Sequence, residues 1–129
     1  MLKEGILNPQ INSLLSRVRH TNLLVIADRG FPFFPMIETI DISLVDDVPT
    51  VLQVLAAIRL NFVVGQAQMA QEFLTHSDAP TQAAFIAGLK GAPLSHLPHV
   101  EFKHLVPRAI GLIRTADTTP YANMILESA

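Results

Sequence analysis

Short apolar runs and amphipathic stretches take turns along this chain. Ile11, Leu14, Leu15 and Val18 recur at helical spacing behind Asn8 and Pro9, a pair suited to a helix cap and first position. The spacing predicts an amphipathic helix over residues 9 to 19. Leu23 to Ala27 is a continuous apolar run with β-branched members, as a strand buried on both faces requires. Gly30, Pro32 and Pro35 turn the next segment into a loop, in which Phe31, Phe33 and Phe34 are unusually apolar. A short strand is read at Thr39 to Ile42. A helix follows from Pro49 to Asn61, with Val51, Leu52, Leu55 and Ile58 on one face. A second helix is read from Gln66 to Thr75, carrying Met69, Ala70 and Phe73 inward, and a third from Pro80 to Leu89, stopped by Gly91. Ile110 to Ile113 and Asn123 to Leu126 read as further strands.

Helices alternating with short buried strands predict a single-domain, layered α/β/α fold around a central parallel or mixed sheet. Ligands of such sheets gather beyond the carboxyl ends of the strands, where Asp28 and Arg114 fall.

Composition narrows the function classes. Half of the 129 residues are hydrophobic, enough for one core, and only 16% are charged. So few charges predict that apolar faces, the phenylalanine loop among them, are covered by other copies of the chain. A formal charge of −2 gives no electrostatic case for nucleic acid. With no cysteine, disulfides and thiolate metal sites are excluded. The opening residues carry Glu4 and Asn8 where a signal peptide needs an apolar stretch, and no apolar run approaches the roughly 18 residues of a membrane span. A cytoplasmic protein is expected.

Three polar clusters carry candidate chemistry. His20 and Asp28 bracket the first strand. Read separately, they are a helix-end histidine and an Asx-turn. Read together, they are a carboxylate orienting an imidazole for general acid–base work. The second cluster is His96, His99, Lys103 and His104. If residues 99 to 105 are helical, His99 and Lys103 share a face. A metal reading through His96, His99 and Glu101 lacks any supporting ligand spacing, which leaves a solvated helix face as the default. The third cluster runs from Arg114 to Asn123. Tyr121 and Asn123 alternate in a segment read as extended, and their phenol and amide groups suit a polyhydroxylated ligand. Serine elbows, phosphate loops and dinucleotide fingerprints are absent.

Taken in order, these segments resemble the D-ribose pyranase and L-fucose mutarotase family along nearly the whole chain. The matching residues are Gly5 to Asn8, His20-Thr21, Ile26 to Asp28, Gly30 to Pro32, Ile40-Asp41 with Leu44, Pro49, and His99 with Phe102-Lys103. They continue through Ile113 to Thr115 and Thr119 to Asn123, followed by Ile125-Leu126. The run Thr119-Pro120-Tyr121-Ala122-Asn123 is the most specific piece.

The resemblance implies a small α/β subunit in a ring of eight to ten copies, commonly a decamer, with sites at subunit borders. It implies interconversion of sugar ring forms and anomers without metal or cofactor. By matching position, His20 transfers protons and Asp28 holds sugar or imidazole. His99 and Lys103 contact sugar, and Tyr121, Ala122 and Asn123 line the site from a neighbouring subunit. Lys103 matches the ribose-type members. The chain departs from the family pattern at Arg19, Asn22 and Arg29, and at Ala116-Asp117. Arg19 and Arg29 read either as contacts for an anionic group on the sugar or as a salt-bridge pair on a subunit border. The runner-up function is a sugar-binding or regulatory module that retains the pocket without turnover.

Overall fold

The structure is a computed structural model that describes residues 1–129. Its six strands form one sheet in the order β2-β5-β1-β6-β3-β4. They are β1 (Leu23–Ala27), β2 (Glu38–Asp41), β3 (Val64–Ala70), β4 (Leu94–Leu97), β5 (Gly111–Arg114) and β6 (Met124–Ser128). The pairs β1–β5, β2–β5 and β3–β4 are parallel, and β6 runs antiparallel between β1 and β3. The sheet is therefore mixed.

Alternation along the central strands sends side chains into two cores. Leu24, Ile26, Ile113, Met124 and Leu126 join the larger one. It also takes Ile11 and Leu14 of α1 (Pro9–Ser16), Val51, Val54, Leu55 and Ile58 of α2 (Val51–Ile58), Phe73 of α3 (Gln71–His76) and Phe85 of α4 (Ala79–Gly88). Val25, Ala27, Leu112 and Ile125 face the other way. They pack on Phe31, on Phe102 of α5 (His99–Leu105), and on Val106 at the start of a short 3₁₀ turn. The layered α/β/α architecture is as expected, with β1 buried on both faces.

Local chemistry sets the helix boundaries. Asn8 Oδ1 accepts the Ile11 N–H at 3.0 Å and Pro9 opens α1, which ends at Ser16, short of the predicted residue 19. α2 opens behind a capping box in which Thr50 and Gln53 each accept the other's N–H, so Pro49 precedes the cap instead of starting the helix. Asp78 caps α4 by accepting the Thr81 N–H at 2.8 Å. α1 lies so close on β5 that a Cβ on Gly111 would meet the Leu14 side chain at 2.8 Å.

One expectation fails, and one strand is missed. The stretch read as a helix from Gln66 to Thr75 is β3 followed directly by α3. Gln, Ala and Met favour helices, but Ala67 and Met69 are buried while Gln66 and Gln68 are not, a period of two. Pairing with β6 on one side and β4 on the other overrides propensity here. β4 itself is unpredicted, because its Leu94-Ser95-His96-Leu97 is short and nowhere fully buried.

Candidate functional site

β6 runs against its neighbours, so its beginning lies at the edge where β1, β3 and β4 end. Four chain segments converge there: Asp28 after β1, α3 after β3, His99 after β4, and Tyr121 with Asn123 before β6. Together they form a cavity of about 260 Å³ lined by Asp28, Gly30, Phe31, Pro32, His99, Pro120, Tyr121 and Asn123. Two larger clefts lie elsewhere: one against the N-terminal segment at Gly5 and Asn61, the other between α2 and α4. Neither brings together the candidate residues.

At the floor, Asp28 and buried Asn123 hold one another. The Asp28 N–H donates to Asn123 Oδ1 at 2.7 Å, and Asn123 Nδ2 donates back to Asp28 Oδ2 at 3.2 Å. The Gly30 N–H donates to Asp28 Oδ1 at 2.9 Å. Burial pushes the Asp28 carboxyl above its ordinary value, outweighing these hydrogen bonds, and the nearby Asp117 carboxylate adds to the rise. The pair thus presents a fixed carboxylate edge to whatever occupies the cavity.

Aromatic rings form the walls. The His99 ring stacks on Phe102 at 6.1 Å and meets Phe31 and Tyr121 edge-on at 6.1 and 5.1 Å. Its Nδ1 is buried with no partner in the chain. Burial, aided by the Lys103 ammonium, lowers the affinity of the ring for a proton, while Glu72 and Asp28 pull the other way. The ring is therefore neutral at neutral pH, with one donor and one acceptor nitrogen. Tyr121 occupies left-handed backbone at φ 58°, uncommon for a bulky residue, and its ring also packs on His76 at 4.9 Å. The expected extended segment at 121–123 thus begins in a turn at Tyr121, and Tyr121 and Asn123 both reach the cavity.

The remaining candidates sit elsewhere. Lys103 lies one helical turn after His99, off the cavity lining but close enough for its charge to reach the ring. Ala122 is fully buried in the larger core. Tyr121 and Asn123 share one cavity with Asp28 of the same chain. His96 belongs to edge strand β4 and His104 is exposed on α5. No three His, Cys, Asp or Glu side chains are grouped to hold a metal ion.

The chief correction concerns His20. It lies at the opposite end of β1 from Asp28, where its Nδ1 is 2.6 Å from the Ala129 carbonyl oxygen and the Thr21 N–H donates to Ser128 O. Five strand residues at the usual rise separate the two ends by about 17 Å. His20 and Asp28 therefore do not meet within one chain. Since a carbonyl oxygen only accepts, Nδ1 carries the hydrogen of this contact, which leaves Nε2 facing away from it.

Neither arginine enters the cavity. Arg19 donates to the carbonyls of Ser16 and Val18 at the end of α1, and its N–H is accepted by Asn22 Oδ1. Arg29 pairs with Asp46 at 2.6 Å on the surface. Arg114 is structural: it bonds the Phe31 carbonyl and lies 3.5 Å from Asp41. Asp117 is fully used, accepting from Val51 and Thr119. Phe31 is a cavity wall that sequence reasoning assigned to assembly. Of the three loop phenylalanines only Phe33 is exposed, while Phe31 is buried and Phe34 half-buried.

Comparison with known proteins agrees along the full chain. The D-ribose pyranase of Laribacter hongkongensis is 39% identical over 128 residues, spanning 99% of this chain and 97% of that protein. The D-ribose pyranase of Geobacillus thermodenitrificans is 38% identical, covering 99% and 96%. The structure of Bacillus subtilis RbsD complexed with D-ribose superposes with a TM-score of 0.91 at 32% identity, over 100% of this chain and 98% of that one. The fucose mutarotase of Streptococcus pneumoniae in complex with L-fucose shares the fold, with a TM-score of 0.83 at 18% identity over 99% and 98% of the two chains. The model of the RbsD / FucU transport protein family matches residues 1–129, and the chain belongs to that family.

Proposed function

We propose that this protein is an isomerase that interconverts the ring forms or anomers of a monosaccharide by general acid–base catalysis, with D-ribose the first substrate to test. The observation that carries the reading is the cavity: a fixed Asp28–Asn123 pair faces a neutral His99 and the Tyr121 ring. Carboxylate, amide, imidazole and phenol groups supply the mixture of donors and acceptors that sugar hydroxyls need. Kinship to D-ribose pyranases over the whole chain supports the same chemistry.

Opening a cyclic hemiacetal takes the proton from the anomeric hydroxyl and returns one to the ring oxygen as the C–O bond breaks. Closure on another hydroxyl, or on the other face of the carbonyl, reverses those transfers. Asp28, Asn123, His99 and Tyr121 hold the hydroxyls, with the Lys103 charge behind His99. His20 is the proton-transfer group through its Nε2. Because it stands at the far end of β1, it serves the cavity of a neighbouring copy. Activity in this reading therefore belongs to a closed ring of subunits in the cytoplasm, with each site shared by two. Of the departures, Arg29 turns to Asp46 on the surface, while Arg19 and Asn22 bond to one another beside His20 and leave its ring in place, which supports turnover over a binding module.

Exchange NMR on D-ribose with catalytic amounts of protein tests this. Faster exchange between pyranose and furanose signals is expected. Saturation transfer from protein to sugar without faster exchange would instead indicate the binding module, and neither effect would remove D-ribose as a ligand.

A further inference from the structure

The cavity depends on a helix that contributes nothing to its lining. α3 starts one residue after β3 ends, and Glu72 is in its first turn. Both Glu72 carboxylate oxygens accept the backbone N–H of His99, each at 3.1 Å. His99 is the first residue of α5, whose cap position is Pro98, a residue with no side-chain group to offer the free amides there. A carboxylate from another helix takes that place, favoured by the positive end of the helix and by charge-assisted bonding.

Because His99 Nδ1 has no partner in the chain, ring packing and the backbone at the helix start fix the direction of the imidazole. Glu72 fixes that backbone. One turn later on the same helix, His76 packs its ring against Tyr121 and its Nδ1 lies 2.8 Å from the Glu72 carbonyl oxygen. Thus α3 braces both aromatic walls, His99 directly and Tyr121 through His76.

We propose that Glu72 is a positioning residue of the sugar site, its carboxylate anchoring the start of α5 and thereby aiming the His99 ring into the cavity. This inference rests on the sugar-site reading above. The charged groups that act on the His99 ring are Lys103 from its own helix, Glu72 from α3 and Asp28 from the end of β1. Removing the Glu72 charge therefore lowers the pH at which the ring takes its proton, a change that loss of packing alone does not prescribe.

The test compares the parent protein with Glu72→Ala and Glu72→Gln, using NMR of the histidine rings and titration with D-ribose. Glu72→Ala should loosen the contacts of His99 with Phe31 and Tyr121. It should also weaken D-ribose about tenfold, the size of one charge-assisted hydrogen bond, raising KM more than it lowers kcat. Glu72→Gln retains an acceptor oxygen and should restore most of the affinity while His99 titrates at lower pH than in the parent. Parental affinity and parental ring contacts in Glu72→Ala would overturn the proposal. If that variant does not fold, an unshifted His99 titration in Glu72→Gln overturns it instead. If the parent itself ignores D-ribose, the sugar reading fails, while the His99 contacts in Glu72→Ala still decide the role of Glu72.

Discussion

The two ends of β1 are built differently. At the carboxyl end, four chain segments converge, each side-chain polar atom of the Asp28–Asn123 pair has a partner, and the histidine is held among aromatic rings. At the amino end, an exposed histidine rests on the last backbone carbonyl and nothing closes over it. One end encloses a lined cavity. The other presents the proposed proton-transfer group, His20, without a pocket of its own. A sheet edge can gather ligands from one chain, but a five-residue strand cannot bring its own two ends together, so catalysis that needs both ends requires a second molecule.

The largest predicted effect breaks this division directly. His20→Ala should retain D-ribose and cut ring interconversion by roughly 10²-fold or more, as expected for losing an acid–base group. Asp28→Ala should lose both binding and turnover. Rings co-assembled from equal amounts of the two variants should regain roughly a quarter of parental activity, since that fraction of borders pairs an intact His20 with an intact Asp28 from different copies. Both inactive homomers and an active mixture are required. A mixture as inactive as its parts would place the whole site inside one subunit and sink the shared arrangement.

Much of this was legible in the sequence, and the failures have physical causes. The apolar run at Leu23 to Ala27 and its polar brackets marked β1 and its carboxyl-end site, because a doubly buried strand leaves no other reading. The supposed meeting of His20 with Asp28 ignored chain geometry: two residues join His20 to Leu23, too few to carry the ring along the strand. Glu72 was hidden because Gln66 to Thr75 has helical composition, and only the pairing of β3 with both β6 and β4 shows that a strand ends just before it. Ala122 shows the limit of reading a site from a motif. It stands between two cavity residues yet points into the core.

A smaller effect sharpens the chemistry of the cavity end. Lys103 lowers the proton affinity of His99 through its like charge, after burial, which is the larger cause. Lys103→Met should therefore raise the His99 titration midpoint toward its ordinary value of 6.5, read from its ring signals in NMR. The sign carries into stability. With its folded midpoint below the unfolded one, His99 leaves stability complete above about 6.5 and removes it as pH falls toward the folded midpoint. The variant should lose less stability over that interval, measured as the melting temperature at successive pH values. A midpoint that stays or falls would remove Lys103 from the electrostatics of the site.

The smallest expected effect concerns the arginines, one near each end of β1. Arg29 directly follows Asp28, yet its guanidinium turns away to Asp46, and both side chains are more than half exposed, at 57% and 65%. Exposed pairs of this kind contribute about 0–1 kcal/mol, so Arg29→Ala should barely move the melting temperature. Arg19 closes the end of α1 through backbone carbonyls, and its loss should also be mild. Neither guanidinium borders the cavity, so both variants should keep parental affinity for D-ribose and the parental preference between it and ribose 5-phosphate. Calorimetry with the two sugars measures both quantities. A selective loss of the phosphorylated sugar in either variant would mean that its guanidinium reaches a site across a subunit border, giving the amino end of β1 or the Arg29 surface a part in substrate choice that the isolated chain does not assign to it.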